Sequence, residues 1–175
     1  MITSSPTSEP EFWLRGPLPN VPSLLQPVAH ALLQARQEVE AALHDFPEAY
    51  LAARPVGVAS VGFHLRHLAG VLDRMQTYAQ HQRLSEAQLA YLAAEKEVLT
   101  TPGSTAALVQ HFHAAVDQLL TYLPTVPENT LAEFRPVGRA GLPSTVVGLL
   151  VHAAEHTTRH VGQLLVTARI VRHPQ

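Results

Sequence analysis

The sequence predicts an all-α protein, a four-helix bundle with one short extra helix in the connection between the second and third long helices. Three observations lead there. Apolar residues recur at helical spacing in four long stretches, the strict alternation of a half-buried strand survives in no segment, and proline-containing segments separate the stretches. With the short helix in it, that connection is long enough to cross the bundle, so the expected order is up-down-down-up.

In chain order, residues 1–22 hold Pro6, Pro10, Pro17, Pro19 and Pro22, a density that prevents a helix because each ring removes a donor and restricts its predecessor. They read as an extended arm, with Phe12 and Trp13 as apolar anchors, and residues 23–175 as one helical domain. From Ser23, an expected N-cap, Leu24, Val28, Leu32, Ala35, Val39, Leu43 and Phe46 follow the helical period and define the first long helix, interrupted at most by Pro27. Pro47 to Gly57 connects it to a second helix over about Ser60 to Gln80. There Val61, Leu65, Leu68, Leu72 and Met75 face one way and Arg66, Asp73 and Thr77 the other.

Ser85 and Gln88 have the spacing of a capping box and open a short helix to about Leu99, stopped by Thr101-Pro102-Gly103. Ser104 or Thr105 caps the third long helix, which carries Leu108, Phe112, Val116, Leu119 and Leu120 and ends at Pro124. With four prolines and two glycines, Pro124 to Pro143 reads as a long loop of the kind that serves function or subunit contact. Ser144 then caps the last helix, to about Arg169. The stretch Arg54-Pro55-Val56-Gly57 before the second helix is echoed by Arg135-Pro136-Val137-Gly138 before the fourth.

Composition narrows the function classes. At 175 residues the chain buries roughly 70% of its unfolded surface, so folding requires neither disulfides nor a structural metal. A formal charge of −2 without a basic run gives no footprint for nucleic acid. The absence of cysteine removes disulfides, thiolate metal sites and a cysteine nucleophile. Neither a signal peptide nor a membrane-spanning run is apparent, and a soluble, cytoplasmic protein is expected.

The 11 histidines carry the remaining chemistry. His152, His156 and His160 recur at i, i+4 and i+8, each rotated about 40° from the last, and form one stripe along the fourth helix. Leu149 and Gln163 fall within that stripe, whereas Glu155, Thr158 and Arg159 lie beside it, so the stripe faces inward or into a cleft. Two imidazoles at i, i+4 reach one ion, with nitrogens about 2 Å from it. A third ligand has to come from another helix, and the second helix offers two. His64 lies near the middle of its apolar arc and His67 at the edge, so burial favours His64, whereas an open coordination position favours His67. His30, His44, His81, His111, His113 and His173 show no such grouping.

Two motifs carry a resemblance: Ser60-Val61-Gly62-Phe63-His64-Leu65-Arg66-His67-Leu68-Ala69 with Leu72-Asp73-Arg74, and His156-Thr157-Thr158-Arg159-His160-Val161-Gly162-Gln163-Leu164. From about residue 23 to 170 the chain resembles the DinB-like (DinB/YfiT) superfamily. The resemblance implies an up-down-down-up four-helix bundle, often dimeric, with a metal held by one histidine of the second helix and a His-x-x-x-His pair of the fourth. By position the ligands are His67, His156 and His160. His64, His152 and Gln163 then take supporting roles, with Glu155 and Asp73 as further groups able to orient the imidazoles. Val161 stands where many members have arginine, while Gly162 and Gln163 match.

A three-histidine site leaves coordination positions open, as a catalytic metal requires. Such an ion, zinc or nickel, either acidifies a bound water or holds a small-molecule thiol as its thiolate. Characterised relatives imply the second: an S-transferase or isomerase acting on a low-molecular-weight thiol and an electrophile, in a homodimer. The competing expectations are a non-catalytic metal-binding stress or interaction protein and a metal-dependent hydrolase.

Overall fold

The computed structural model describes residues 9–95, 97 and 104–173. Five α-helices dominate them: α1 (Gln26–Leu43), α2 (Val61–Ala79), α3 (Glu86–Ala94), α4 (Thr105–Tyr122) and α5 (Val146–Arg172). The predominantly helical class is as the sequence predicts. A small sheet is also present, and it corrects the expectation of a purely helical chain.

Side-chain caps start four of the helices, three of them from serine. Ser60 Oγ accepts from the amide of Phe63 at 3.2 Å, and Ser104 Oγ from that of Ala107 at 3.4 Å. At α3 both arms of the capping box form, Ser85 Oγ with the Gln88 amide and Gln88 Oε1 with the Ser85 amide. Ser23 behaves differently from expectation. It opens a 3₁₀ turn, Ser23–Leu25, and α1 follows without a side-chain cap. Pro27 falls in the first turn of α1, where a missing N–H removes no helical hydrogen bond, so it does not interrupt the helix. The expected extension of the short helix to Leu99 and its stop at Thr101-Pro102-Gly103 lie largely outside the described residues.

The segment expected as loop before the last helix contains an antiparallel hairpin, β1 (Phe134–Val137) and β2 (Leu142–Thr145), with Pro136 opposite Pro143. Both prolines are tolerated because each strand of a two-stranded ribbon is an edge, and a proline pair occupies a position that exchanges no ladder hydrogen bonds. Gly138 and Gly141, at φ +68° and +61°, make the turn. Ser144, the expected cap, therefore sits in β2. Thr145 caps α5 instead, its hydroxyl accepting from the Gly148 amide at 3.0 Å. The hairpin also closes the end of α2, where Arg135 Nε donates to the Ala79 carbonyl at 2.9 Å. By contrast, Arg54-Pro55-Val56-Gly57 forms a 3₁₀ turn, so the sequence echo is not a structural repeat.

The core gathers Leu25, Leu32, Leu65, Leu68, Leu72, Phe112, Leu119, Leu150 and Leu164, all fully buried. Each such side chain contributes about 1.5–3 kcal/mol on burial, so the helices have a sufficient core of their own. α2 packs on α4 and α5, and α1 on the same two helices. Along α2 and α5 the partners run in opposite directions: Thr167 bonds to Ala59, His160 meets His64 and His156 meets His67. Ahead of α1, Gln26 ties down the preceding segment by accepting from the Leu18 amide and donating to the Val21 carbonyl. No described helix is long and apolar enough to cross a membrane.

Candidate metal centre

α2 and α5 bring four imidazoles into one group. His64 and His67 are three residues apart on α2, and His156 and His160 four apart on α5, so each pair shares a helix face. Antiparallel packing then sets the pairs level. His67 Nε2 lies 2.9 Å from His156 Nε2, and His64 Nδ1 lies 3.0 Å from His160 Nδ1. The ring of His160 is 4.6 Å from that of His67 and 4.4 Å from that of His156, between centroids.

His67, His156 and His160 each offer a ring nitrogen, and these nitrogens all lie within 4.8 Å of one another. Two unprotonated imidazole nitrogens repel at 2.9 Å unless a proton or a cation lies between them. Two nitrogens bound to one ion at about 2.1 Å come to rest about 3 to 3.4 Å apart, so the observed spacing suits a shared cation. His156 Nδ1 is buried and makes no hydrogen bond among the described residues, leaving Nε2 as the nitrogen through which this side chain acts. The donor set fits a borderline-soft divalent ion.

Charge is disfavoured on His64, His156 and His160. Burial pushes His64 down to about 4, helped by His160 and His67. Burial likewise pushes His156 to about 4, with His160 and His67 adding to the shift, and holds His160 below its ordinary value. Neutral imidazole is the form that binds metal, so these rings are kept in the competent state.

His64 is 2% exposed and His67 19% by side chain, which matches their places at the centre and the edge of the apolar arc. Phe63 stacks on His67, centroids 5.4 Å apart and planes at 10°. His152 is largely exposed, bonded through Nδ1 to Glu155 at 2.8 Å, its ring 5.1 Å from that of His156. Together with Glu155 and His156 it forms a second, more open group of possible ligands.

Of the supporting residues expected from sequence, Glu155 does bond an imidazole, that of His152, whereas Gln163 and Asp73 fall elsewhere. Gln163 is exposed on α5, outside the buried side of the stripe that Leu149 shares. Glu155 bonds to His152 and to Arg159, and Asp73 accepts from Gln88 at 2.9 Å. Val161 is buried in the core, where a methyl-bearing side chain packs and an arginine would need a partner. The cleft of about 300 Å³ between α2, α3 and α4, lined by Gly70, Asp73, Tyr91 and His111 among others, includes none of the four grouped histidines.

The residue that sequence reasoning misses is Glu95. It ends α3, is 3% exposed, and accepts from His67 Nδ1 through Oε2 at 2.8 Å. One signal was available. An acid at a helix C-terminus opposes the macrodipole, so it needs a compensating partner.

The family model described as "DinB superfamily" matches residues 31–164. Among solved structures, the chain is similar to a conserved protein from Enterococcus faecalis, with 23% identity and a TM-score of 0.65. That alignment covers 85% of this chain and 96% of the other, and it shows a shared fold. No curated protein matches the chain.

Proposed function

This chain belongs to the DinB superfamily, and from that premise we propose that it holds one divalent transition-metal ion, zinc or nickel, through His67, His156 and His160. The observation that carries the reading is the convergence of three imidazole nitrogens from two helices within 4.8 Å. His64 backs His160 through the contact between their Nδ1 atoms, and His152 flanks His156.

An ion with three protein ligands and open positions supplies a Lewis acid, able to hold a thiol as thiolate or to lower the pKa of a bound water. The chain's own groups prepare the place for it. Burial keeps His64, His156 and His160 neutral, Phe63 stacks against one face of His67, and Glu95 occupies its far nitrogen. We therefore read the protein as a metal-dependent enzyme acting on a low-molecular-weight thiol and an electrophile. A non-catalytic metal-binding protein and a hydrolase are the competing readings.

The long helices are proposed to run up-down-down-up as a four-helix bundle. Three contacts support that order: Thr105 bonds to the Phe46 carbonyl, Arg172 to that of His44, and Thr167 to that of Ala59. Residues 1–22 are proposed as an arm on a body of residues 23–175, in a cytoplasmic homodimer. Trp13, Val151, Val166 and Ile170 are exposed apolar groups of the kind an interface would cover.

Metal analysis of tag-free protein, followed by assay of the loaded form with a panel of small thiols and a generic electrophile, tests the reading. Thiol-specific, metal-dependent conjugation is expected. No conjugation across the panel removes the transferase assignment, and no bound metal removes the site.

A further inference from the structure

Behind His67 lies a buried ion pair that no ligand role accounts for. Glu95 and Arg74 are 3% and 6% exposed, at a depth where a charge is tolerated only when paired. Arg74 donates from both terminal nitrogens, Nη1 to Glu95 Oε1 at 2.5 Å and Nη2 to Oε2 at 3.3 Å. Oε2 also accepts from His67 Nδ1 at 2.8 Å.

The pair is built into the packing of α3 on α2. At Gly70, one turn after His67, a Cβ would stand 2.1 Å from Glu95 Oε1, 2.6 Å from Arg74 Nη1 and 2.8 Å from Tyr91 Cε1. Only a residue without a side chain leaves room for the carboxylate there. The end of α3 is tied down further by Arg66, which donates to the carbonyls of Glu95 and Glu97, and by Tyr91, whose hydroxyl donates to the Arg66 carbonyl.

We propose that Glu95 and Arg74 form a positioning unit that fixes the tautomer and ring plane of His67, so that its bare Nε2 faces His156 and His160. A neutral imidazole carries one ring proton, and an ionised carboxylate at Nδ1 holds that proton there, since it can accept a hydrogen bond but cannot donate one. Arg74 keeps the carboxylate in that role. Oε1 accepts from Arg74 and Oε2 accepts from both Arg74 and His67, so three hydrogen bonds fix the carboxylate as acceptor. In its consequence for metal binding the inference rests on the proposed site, whereas the tautomer itself does not.

Two variants and one spectrum of the full-length chain test it. In ¹⁵N-labelled, metal-free protein near neutral pH, His67 is expected to show a protonated Nδ1 and an unprotonated Nε2. Gly70→Ala touches no imidazole yet places a methyl in the carboxylate's space. The double variant Arg74→Met with Glu95→Gln removes both buried charges together, so neither is stranded. In each, His67 should become a tautomer mixture, and zinc affinity measured against a chromogenic chelator should fall roughly ten- to hundredfold with one site retained.

A wild-type His67 protonated at Nε2 would overturn the proposal, as would folded variants with unchanged tautomer and affinity, because a merely structural pair alters stability alone. If the double variant fails to fold, the wild-type spectrum and Gly70→Ala decide. Wild-type protein that takes up no zinc but shows the Nδ1-protonated tautomer, lost in Gly70→Ala, would sustain the positioning role and sink the metal reading instead.

Discussion

His64 Nδ1 and His160 Nδ1 lie 3.0 Å apart across the α2–α5 interface, a contact with room for a proton on only one of the two nitrogens. Whichever ring donates, the other must present a lone pair. If His160 turns its Nε2 toward a metal, its Nδ1 keeps the proton and His64 accepts it. His64 thereby serves His160 as Glu95 serves His67, a neutral acceptor in one case and a charged one in the other.

This relation separates the two α2 histidines experimentally. His67→Ala should abolish metal retention after gel filtration. His64→Ala should keep one ion per chain with affinity weakened at most about tenfold, the lower end of what loss of a supporting hydrogen bond produces. Metal analysis of both variants checks this. Loss from His64→Ala with retention by His67→Ala would show that the wrong histidine has been assigned.

His156→Ala combined with His160→Ala should take metal content from one ion per chain to none while far-ultraviolet circular dichroism stays unchanged. The fully buried leucines and Phe112 hold the helices without any contribution from the ion. Unchanged stoichiometry would refute the site, and loss of helicity would refute the claim that the metal is dispensable for folding.

The helices and the histidine pairs were legible because both depend on local period. Spacing alone puts His156 and His160 on one face of α5, and the arc of α2 separates the buried His64 from the edge residue His67. Whatever depends on contact across the fold was not legible. Glu95 reaches His67 from 28 residues away, and Gly70 shows its purpose only once α3 is packed on α2. The hairpin was hidden by Pro136 and Pro143, which argue against a strand unless they face each other at non-bonded positions, as here. Ser144 and Thr145 are both good caps and both lie in β2, and the role goes to Thr145 because the hairpin extends through it to the start of α5.

Arg135 links the hairpin to the end of α2, and its replacement by alanine should be felt as stability and not as metal binding. The Ala79 carbonyl loses its guanidinium partner at 2.9 Å, and Glu133 loses its ion pair. One hydrogen bond of this kind is worth about 1 kcal/mol, which for a chain of this size lowers Tm by roughly 2–4 °C. Thermal melts of the metal-free variant check the value, and an unchanged Tm would mean that water replaces the contact without loss.

Acid sensitivity follows from the same burial that keeps the rings neutral. His64 and His156 fall from 6.5 to about 4 in the folded protein, and His160 is lowered as well. Their folded values lie below the unfolded one, so as pH falls the unfolded chain takes up protons first. Stability of the metal-free protein should therefore be level above about pH 6.5, decline as pH falls from 6.5 toward 4, and receive no further penalty from these rings below that. The decline between pH 6.5 and 5 is the diagnostic part, since most carboxylates titrate lower. The same shift lets the site compete for metal under mild acid. At pH 5.5 an ordinary imidazole is about nine-tenths protonated, whereas His64 and His156 remain mostly neutral. Urea unfolding of metal-free protein at pH 7, 6 and 5 should show a stepwise loss that His64→Phe reduces, because phenylalanine fills the buried site without a titrating group. A flat profile, or one that His64→Phe leaves unaltered, would mean that His64 does not stay neutral in the folded protein.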